Sequence, residues 1–165
     1  MASNVAVLGM VGEALPTNLE LANTENEVIN LTALLQGAEA LVVLFHPYTY
    51  AEVKKNSMEN LILDVNDRLE FFEQEDVRVI VITREPPSTT RHWKSDMNIN
   101  MDVYSDCSLD VSAALVGTFD LSLYFIAKQG VTLGTWFVSM PAIMIVGGDG
   151  RVISKYVAQS PGNIS

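Results

Sequence analysis

The stretch that decides the fold is Leu41-Val42-Val43-Leu44-Phe45-His46-Pro47-Tyr48-Thr49-Tyr50-Ala51-Glu52-Val53-Lys54. Ala40 to Phe45 is continuously apolar and rich in β-branched residues, as a strand covered on both faces must be, so it predicts a central strand. Pro47 marks a turn, and the mouth of a helix follows. A strand that runs straight into a helix leaves free backbone N–H groups at its end, where α/β proteins usually place their chemistry.

Downstream, Met58, Ile62, Val65, Leu69 and Phe72 recur at steps of three and four. That spacing predicts one long amphipathic helix over Glu52 to Glu75, with Lys55, Asn56, Glu59, Asn66, Asp67 and Glu70 on a solvated outer face. Val77 to Thr83 is a second strong strand, stopped by Pro86-Pro87. A turn of helix over Thr89–Ser95 would carry Trp93, and Asn100–Tyr104 reads as a shorter strand. Ser105-Asp106 offers an N-cap for a helix over Ser108–Val116, closed by Gly117. Phe119 to Ser139 is less regular and reads as a surface-crossing insertion with a helical part. Pro141 to Val157, turning on Gly147-Gly148-Asp149-Gly150, is the clearest hairpin in the chain.

Upstream, residues 18–30 read as a hairpin around Asn23-Thr24-Glu25-Asn26, and Thr32 to Gln36 as a short helix capped by Gly37. Alternating β and α units followed by an antiparallel pair predict an α/β fold: a mixed sheet with helices on both faces. With 165 residues and no linker or repeat, the chain is expected to form a single domain over 1–165, its core about 12–157.

Composition narrows the function classes. Hydrophobic residues are 48% of the chain, enough to build a core. Twenty acidic against 10 basic residues give a formal charge of −10, which repels phosphate backbones and anionic headgroups, so neither nucleic acid nor a membrane surface is an expected partner. No apolar run reaches 18 residues, and Met1-Ala2-Ser3-Asn4 lacks the basic start of a secretory signal, so a cytoplasmic setting is expected. Cys107 is the only cysteine, which excludes an intramolecular disulfide and a thiolate metal cluster. His46 and His92, without carboxylates at a ligating spacing, suggest no metal, and no cofactor motif is present.

The order of elements and their punctuation resemble the peroxiredoxin family, the alkyl hydroperoxide reductase and thiol-specific antioxidant group, over roughly Gly12 to Val157. Gly12-Glu13-Ala14-Leu15-Pro16 resembles its opening Gly-x-x-Ala-Pro, and Leu31 to Gly37 its short helix ending in Lys-Gly. Trp93 stands where a Trp follows the second strand, Ser105-Asp106 resembles Ser-Asp-Pro, and Ile143 to Val152 is similar to the late Phe-Ile-Ile-Asp-x-x-Gly-x-Ile hairpin. The resemblance implies a thioredoxin-like three-layer fold: a mixed central sheet flanked by helices, with an N-terminal hairpin and a C-terminal β-hairpin. The family's active stretch reads Phe-Tyr-Pro, three residues, Thr-Pro-Val and then the peroxide-attacking Cys. Phe45-His46-Pro47 keeps the start and Val53 the residue before the cysteine. Ala51 falls at the Thr, Glu52 at the Pro and Lys54 at the cysteine, while Met140-Pro141 falls where an activating Arg is expected.

Peroxide reduction needs a thiolate made acidic by a helix end and a cation, with donors holding the transferred oxygens. Lysine cannot attack in this way, and Ala51 cannot donate. The resemblance therefore implies a degenerate pocket at His46, Ala51, Lys54 and Pro141, with no catalytic residue, in a binding, scaffolding or regulatory module whose partner is a protein or a second copy of the chain. The alternative is a divergent thiol oxidoreductase or peroxidase that uses Cys107 with a partner thiol. Beside these stand ordinary readings: His46 as a packed histidine, Cys107 as an incidental thiol, Lys54 as a surface cation or an anion holder. Pro141 is either a trans strand-opener or the cis-proline that thioredoxin-like folds often carry there. Phe119, Tyr124, Phe125, Trp136 and Phe137 are core residues, a cover for the pocket, or a dimer surface.

Overall fold

A computed structural model describes residues 11–47, 57–120 and 137–158. Seven strands form one mixed sheet, in the order β2 (Val28–Asn30), β1 (Glu20–Ala22), β5 (Asp102–Ser105), β4 (Val77–Thr83), β3 (Ala40–Phe45), β8 (Ala142–Gly147), β9 (Val152–Val157). The apolar run at Ala40–Phe45 is β3, and it lies between β4 (Val77–Thr83), to which it is parallel, and β8 (Ala142–Gly147), to which it is antiparallel. β5 (Asp102–Ser105) extends the parallel set beyond β4. The predicted hairpins form both edges: β1 (Glu20–Ala22) with β2 (Val28–Asn30), and β8 with β9 (Val152–Val157).

Side chains alternate across a strand, so each strand feeds two cores. Leu41, Val43 and Phe45 of β3, Ile80 and Ile82 of β4 and Met144 and Val146 of β8 face one side. There they meet Leu31, Leu34 and Leu35 of a 3-10 helix (Leu31–Leu35) and Val111 and Leu115 of α4 (Asp110–Leu115). Leu44, Val79, Val81 and Val103 face the other side, against Met58 and Ile62 of α1 (Ser57–Asp67) and Trp93 of α3 (Pro87–Asp96). The result is three layers, helix on sheet on helix, as the alternating pattern predicts.

The single helix expected over Glu52 to Glu75 is two. α1 ends at Asp67, Arg68 leaves helical geometry at φ −113° and ψ 19°, and α2 (Leu69–Gln74) begins after it. Residues 52–56 lie outside the described residues. Asn66 explains where α1 is held: its Nδ2 donates to the Asn98 carbonyl at 2.9 Å, and its Oδ1 accepts from the Asn100 amide at 2.7 Å. The helix expected over Ser108–Val116 is shorter, Asp110–Leu115, because Leu109 sits in the left-handed region at φ 64°. The middle of the expected insertion lies outside the described residues. Its ends are not helical but a two-stranded antiparallel ribbon, β6 (Thr118–Asp120) with β7 (Phe137–Ser139). Half-buried Phe119 and exposed Phe137 belong to that ribbon, while Tyr124, Phe125 and Trp136 lie outside the described residues.

The turn between β8 and β9 is fastened to the start of β3. The Gly148 amide donates to the Glu39 carbonyl at 2.9 Å, and a Cβ on Gly148 would stand 2.9 Å from the Ala38 carbonyl oxygen and 3.3 Å from that of Glu39. These are backbone atoms, which cannot step aside cheaply. Gly148→Ala is expected to cost about 2 kcal/mol, read as a lower urea midpoint at unchanged slope.

Candidate functional site at the carboxyl ends of the parallel strands

In parallel α/β sheets, ligands and reactive groups gather outside the carboxyl ends of the strands. Here those ends are β3, β4 and β5, joined by the His46 amide donating to the Ile82 carbonyl at 2.8 Å and the Asp106 amide donating to the Thr83 carbonyl at 2.7 Å. Because Phe45 pairs with Ala142, the start of β8 lies at the same end, and Pro141 stands beside His46. The Met140–Pro141 bond is trans, so the cis reading of Pro141 does not hold.

His46 follows Phe45, so its ring turns to the α1 and α3 face. It is fully buried, 5.4 Å from the Trp93 ring in a tilted arrangement, with Nε2 3.8 Å from Glu59 Oε1 in the first turn of α1. Trp93 donates Nε1–H to the same Glu59 oxygen at 3.4 Å. Glu59 thus faces inward, not out into solvent as the helical periodicity predicts. The buried imidazole thus packs between an aromatic ring and a carboxylate.

A second polar group lies under the start of α3. Thr83 donates its hydroxyl to Glu85 Oε1 at 2.6 Å, both residues buried, and the Thr90 and Ser105 hydroxyls lie 3.5 Å apart. Sequence reading marked Ser105 only as part of a helix cap and did not single out Thr83, Glu85 or Thr90; for Thr83 and Glu85, polar residues at or just after the end of an apolar strand were the only signal.

Cys107 is exposed, two residues beyond β5. Partial burial, then the Asp106 carboxylate and, more weakly, Glu85 push its thiol pKa above the ordinary value, while Arg84 opposes them. The neighbouring Asp106 is committed elsewhere: it accepts from the Val111 amide at 3.2 Å, the Ser112 amide at 2.8 Å and the Ser112 hydroxyl at 2.7 Å. Arg84 donates to the Phe137 carbonyl at 3.1 Å, tying the end of β4 to the ribbon.

Of the residues picked from sequence, the fold brings His46, Pro141 and Cys107 to one end of the sheet. Neighbouring strands are about 4.8 Å apart, so the β5 terminus that carries Cys107 lies roughly 10 Å across the sheet from His46. Ala51 and Lys54 fall outside the described residues. No group of three metal-ligating side chains occurs among the described residues, and no helix among them is long and apolar enough to cross a membrane.

This architecture, a mixed sheet between two helical layers with its polar end at the carboxyl termini of the parallel strands, is thioredoxin-like. The AhpC/TSA family model matches residues 11–155, and the chain belongs to that family. Solved structures agree on the fold. A cysteine-to-serine mutant of PrxQ from Xylella fastidiosa superposes with a TM-score of 0.74 at 14% identity, over 94% of this chain and 90% of that one. Reduced Prx3 from Vibrio vulnificus, in complex with hydrogen peroxide, gives 0.73 at 15% identity over 96% and 92%. Peroxidoxin BcpB from Mycobacterium tuberculosis gives 0.67 at 15% identity over 92% and 87%. No curated protein matches the chain by sequence.

Proposed function

We propose that this chain is a peroxiredoxin-family domain without the family's cysteine-based peroxide chemistry, serving as a binding, scaffolding or regulatory module for a protein partner or a second copy of itself. One observation carries the reading: the only cysteine, Cys107, follows β5, and none precedes it, so none can stand in the stretch after Phe45 where the family resemblance puts the peroxide-attacking residue. The thiolate is the nucleophile, and burial, then the Asp106 carboxylate, push the Cys107 thiol pKa above its ordinary value, away from the thiolate form. The resemblance gives Lys54 the place of the reactive cysteine and Ala51 the place of the donor, which leaves His46 and Pro141 as the frame of a degenerate pocket. The whole of 1–165 is taken as one domain, and a lone exposed thiol fits a reducing, cytosolic setting.

The exposure of Cys107 favours one second reading, thiol exchange with a partner's cysteine. Consumption of hydrogen peroxide or an alkyl hydroperoxide, with excess thiol reductant, separates the two. The proposal predicts the reagent background alone, the same for wild type and Cys107→Ser. Turnover in the wild type that vanishes in Cys107→Ser would replace it with the second reading.

A further inference from the structure

At the other end of α3, away from Cys107, a groove of about 460 Å³ is lined by Thr24, Arg91, Lys94, Ser95, Asn98 and Asn100, with Ile99 at its base. Its lining holds two cations and no carboxylate, in a chain of net charge −10. Such a local reversal of sign concentrates small anions against the field of the rest of the molecule.

Arg91 is set in place before any ligand arrives. Arg91 donates Nε–H and one Nη2–H to the Thr24 carbonyl, at 3.0 and 2.8 Å. That occupies one edge of the guanidinium with a neutral acceptor, and the end formed by Nη1 and Nη2 keeps three N–H donors and the full charge. Lys94 is three residues further along the helix, on the same face. Among the described residues, neither cation forms an ion pair, and Asp96, the carboxylate on this helix, lies 3.1 Å from His92. The rim is equally fixed: Asn66 holds Asn98 and Asn100 through two hydrogen bonds. Three carbonyls at the helix end, those of Trp93, Ser95 and Lys94, accept the Met97, Asn98 and Ile99 amides, which lessens their repulsion of an anion.

We propose that this groove binds a small phosphate-type dianion, with the free end of the Arg91 guanidinium in bidentate contact and the Lys94 ammonium as the second charge. Paired oxygens match that fork, and two cations balance two negative charges. The site is independent of the peroxide question, because it shares no residue with the carboxyl end of the sheet.

Inorganic phosphate titrated into the 15N-labelled chain, at constant ionic strength, is the test. Saturable shifts are expected at Thr24 and over 91–100, and Lys94→Gln, which leaves the Arg91 contact to Thr24 intact, should weaken them about tenfold, the effect of one charge-assisted hydrogen bond. Arg91→Gln should abolish them. Linear shifts scattered over the surface, shifts reproduced by chloride, or equal affinity in Lys94→Gln would overturn the proposal.

Discussion

Phe45→Ala is expected to lower the unfolding free energy by about 4 kcal/mol, the largest effect of any single truncation argued for this chain. Phe45 is fully buried, pairs with Ile82 on one side and Ala142 on the other, and packs in the cluster that joins the 3-10 helix and α4 to the sheet. Removing the ring deletes its transfer free energy and leaves a cavity that strands bonded on both sides cannot close. Phe45→Leu, which keeps most of the volume, should cost about 1 kcal/mol. Urea denaturation followed by far-UV circular dichroism measures both; near-equal losses would mean that β3 is not the tightly packed centre of the sheet.

Asp106→Ala is expected to cost about 2 kcal/mol at neutral pH. The carboxylate caps the amides of Val111 and Ser112 and accepts the Ser112 hydroxyl, and Ser112 is itself buried, so truncation strands donors away from water. The same group sets a pH dependence. Burial is the larger influence and holds the Asp106 carboxyl above its ordinary 3.8, against the pull of its hydrogen bonds with Ser112 and Val111. A folded-state pKa above the unfolded one means that the folded chain binds more protons within the window between them. This contribution is therefore complete below about pH 4 and is lost as pH rises through the folded value. Wild type should lose stability relative to Asp106→Asn as pH rises from about 4 towards neutral. A difference that grows in the opposite direction would contradict burial as the dominant influence.

Strands and hairpins were legible because their signals are local. Ala40–Phe45 and Val79–Ile82 are uninterrupted apolar runs, and Asp149-Gly150 marks its turn, so the layer order followed. Periodicity failed where a single residue breaks the path: Val65, Leu69 and Phe72 keep their three-and-four spacing across Arg68, and nothing in that spacing registers the non-helical backbone there. The cap of α4 was recognised at Ser105-Asp106, yet the helix begins four residues after Asp106. Its side chain reaches across a turn in which Leu109 takes a positive φ, a conformation sequence pattern does not reveal for leucine. Three-residue strands such as Phe137–Ser139 are too short to show alternation.

The candidate site divides the same way. Cys107 beside a helix start, and His46 and Pro141 at strand ends, could be marked from sequence because they adjoin recognisable elements. The contacts that define their chemistry could not. Glu59 reads as an outer-face residue on the helical wheel, and only the packing of α1 against α3 brings it to Trp93 and His46. Arg84 and Glu85 influence Cys107 only because β4 and β5 end side by side.

The most direct test of the central claim is the second-order rate constant of the Cys107 thiol with hydrogen peroxide at pH 7, followed by trapping the sulfenic acid with dimedone. A protonated thiol flanked by Asp106 and Glu85 predicts a rate no greater than that of free cysteine, rising as pH approaches the thiol pKa. A rate orders of magnitude faster, and flat with pH around neutrality, would contradict the account and make Cys107 a peroxide-reactive centre.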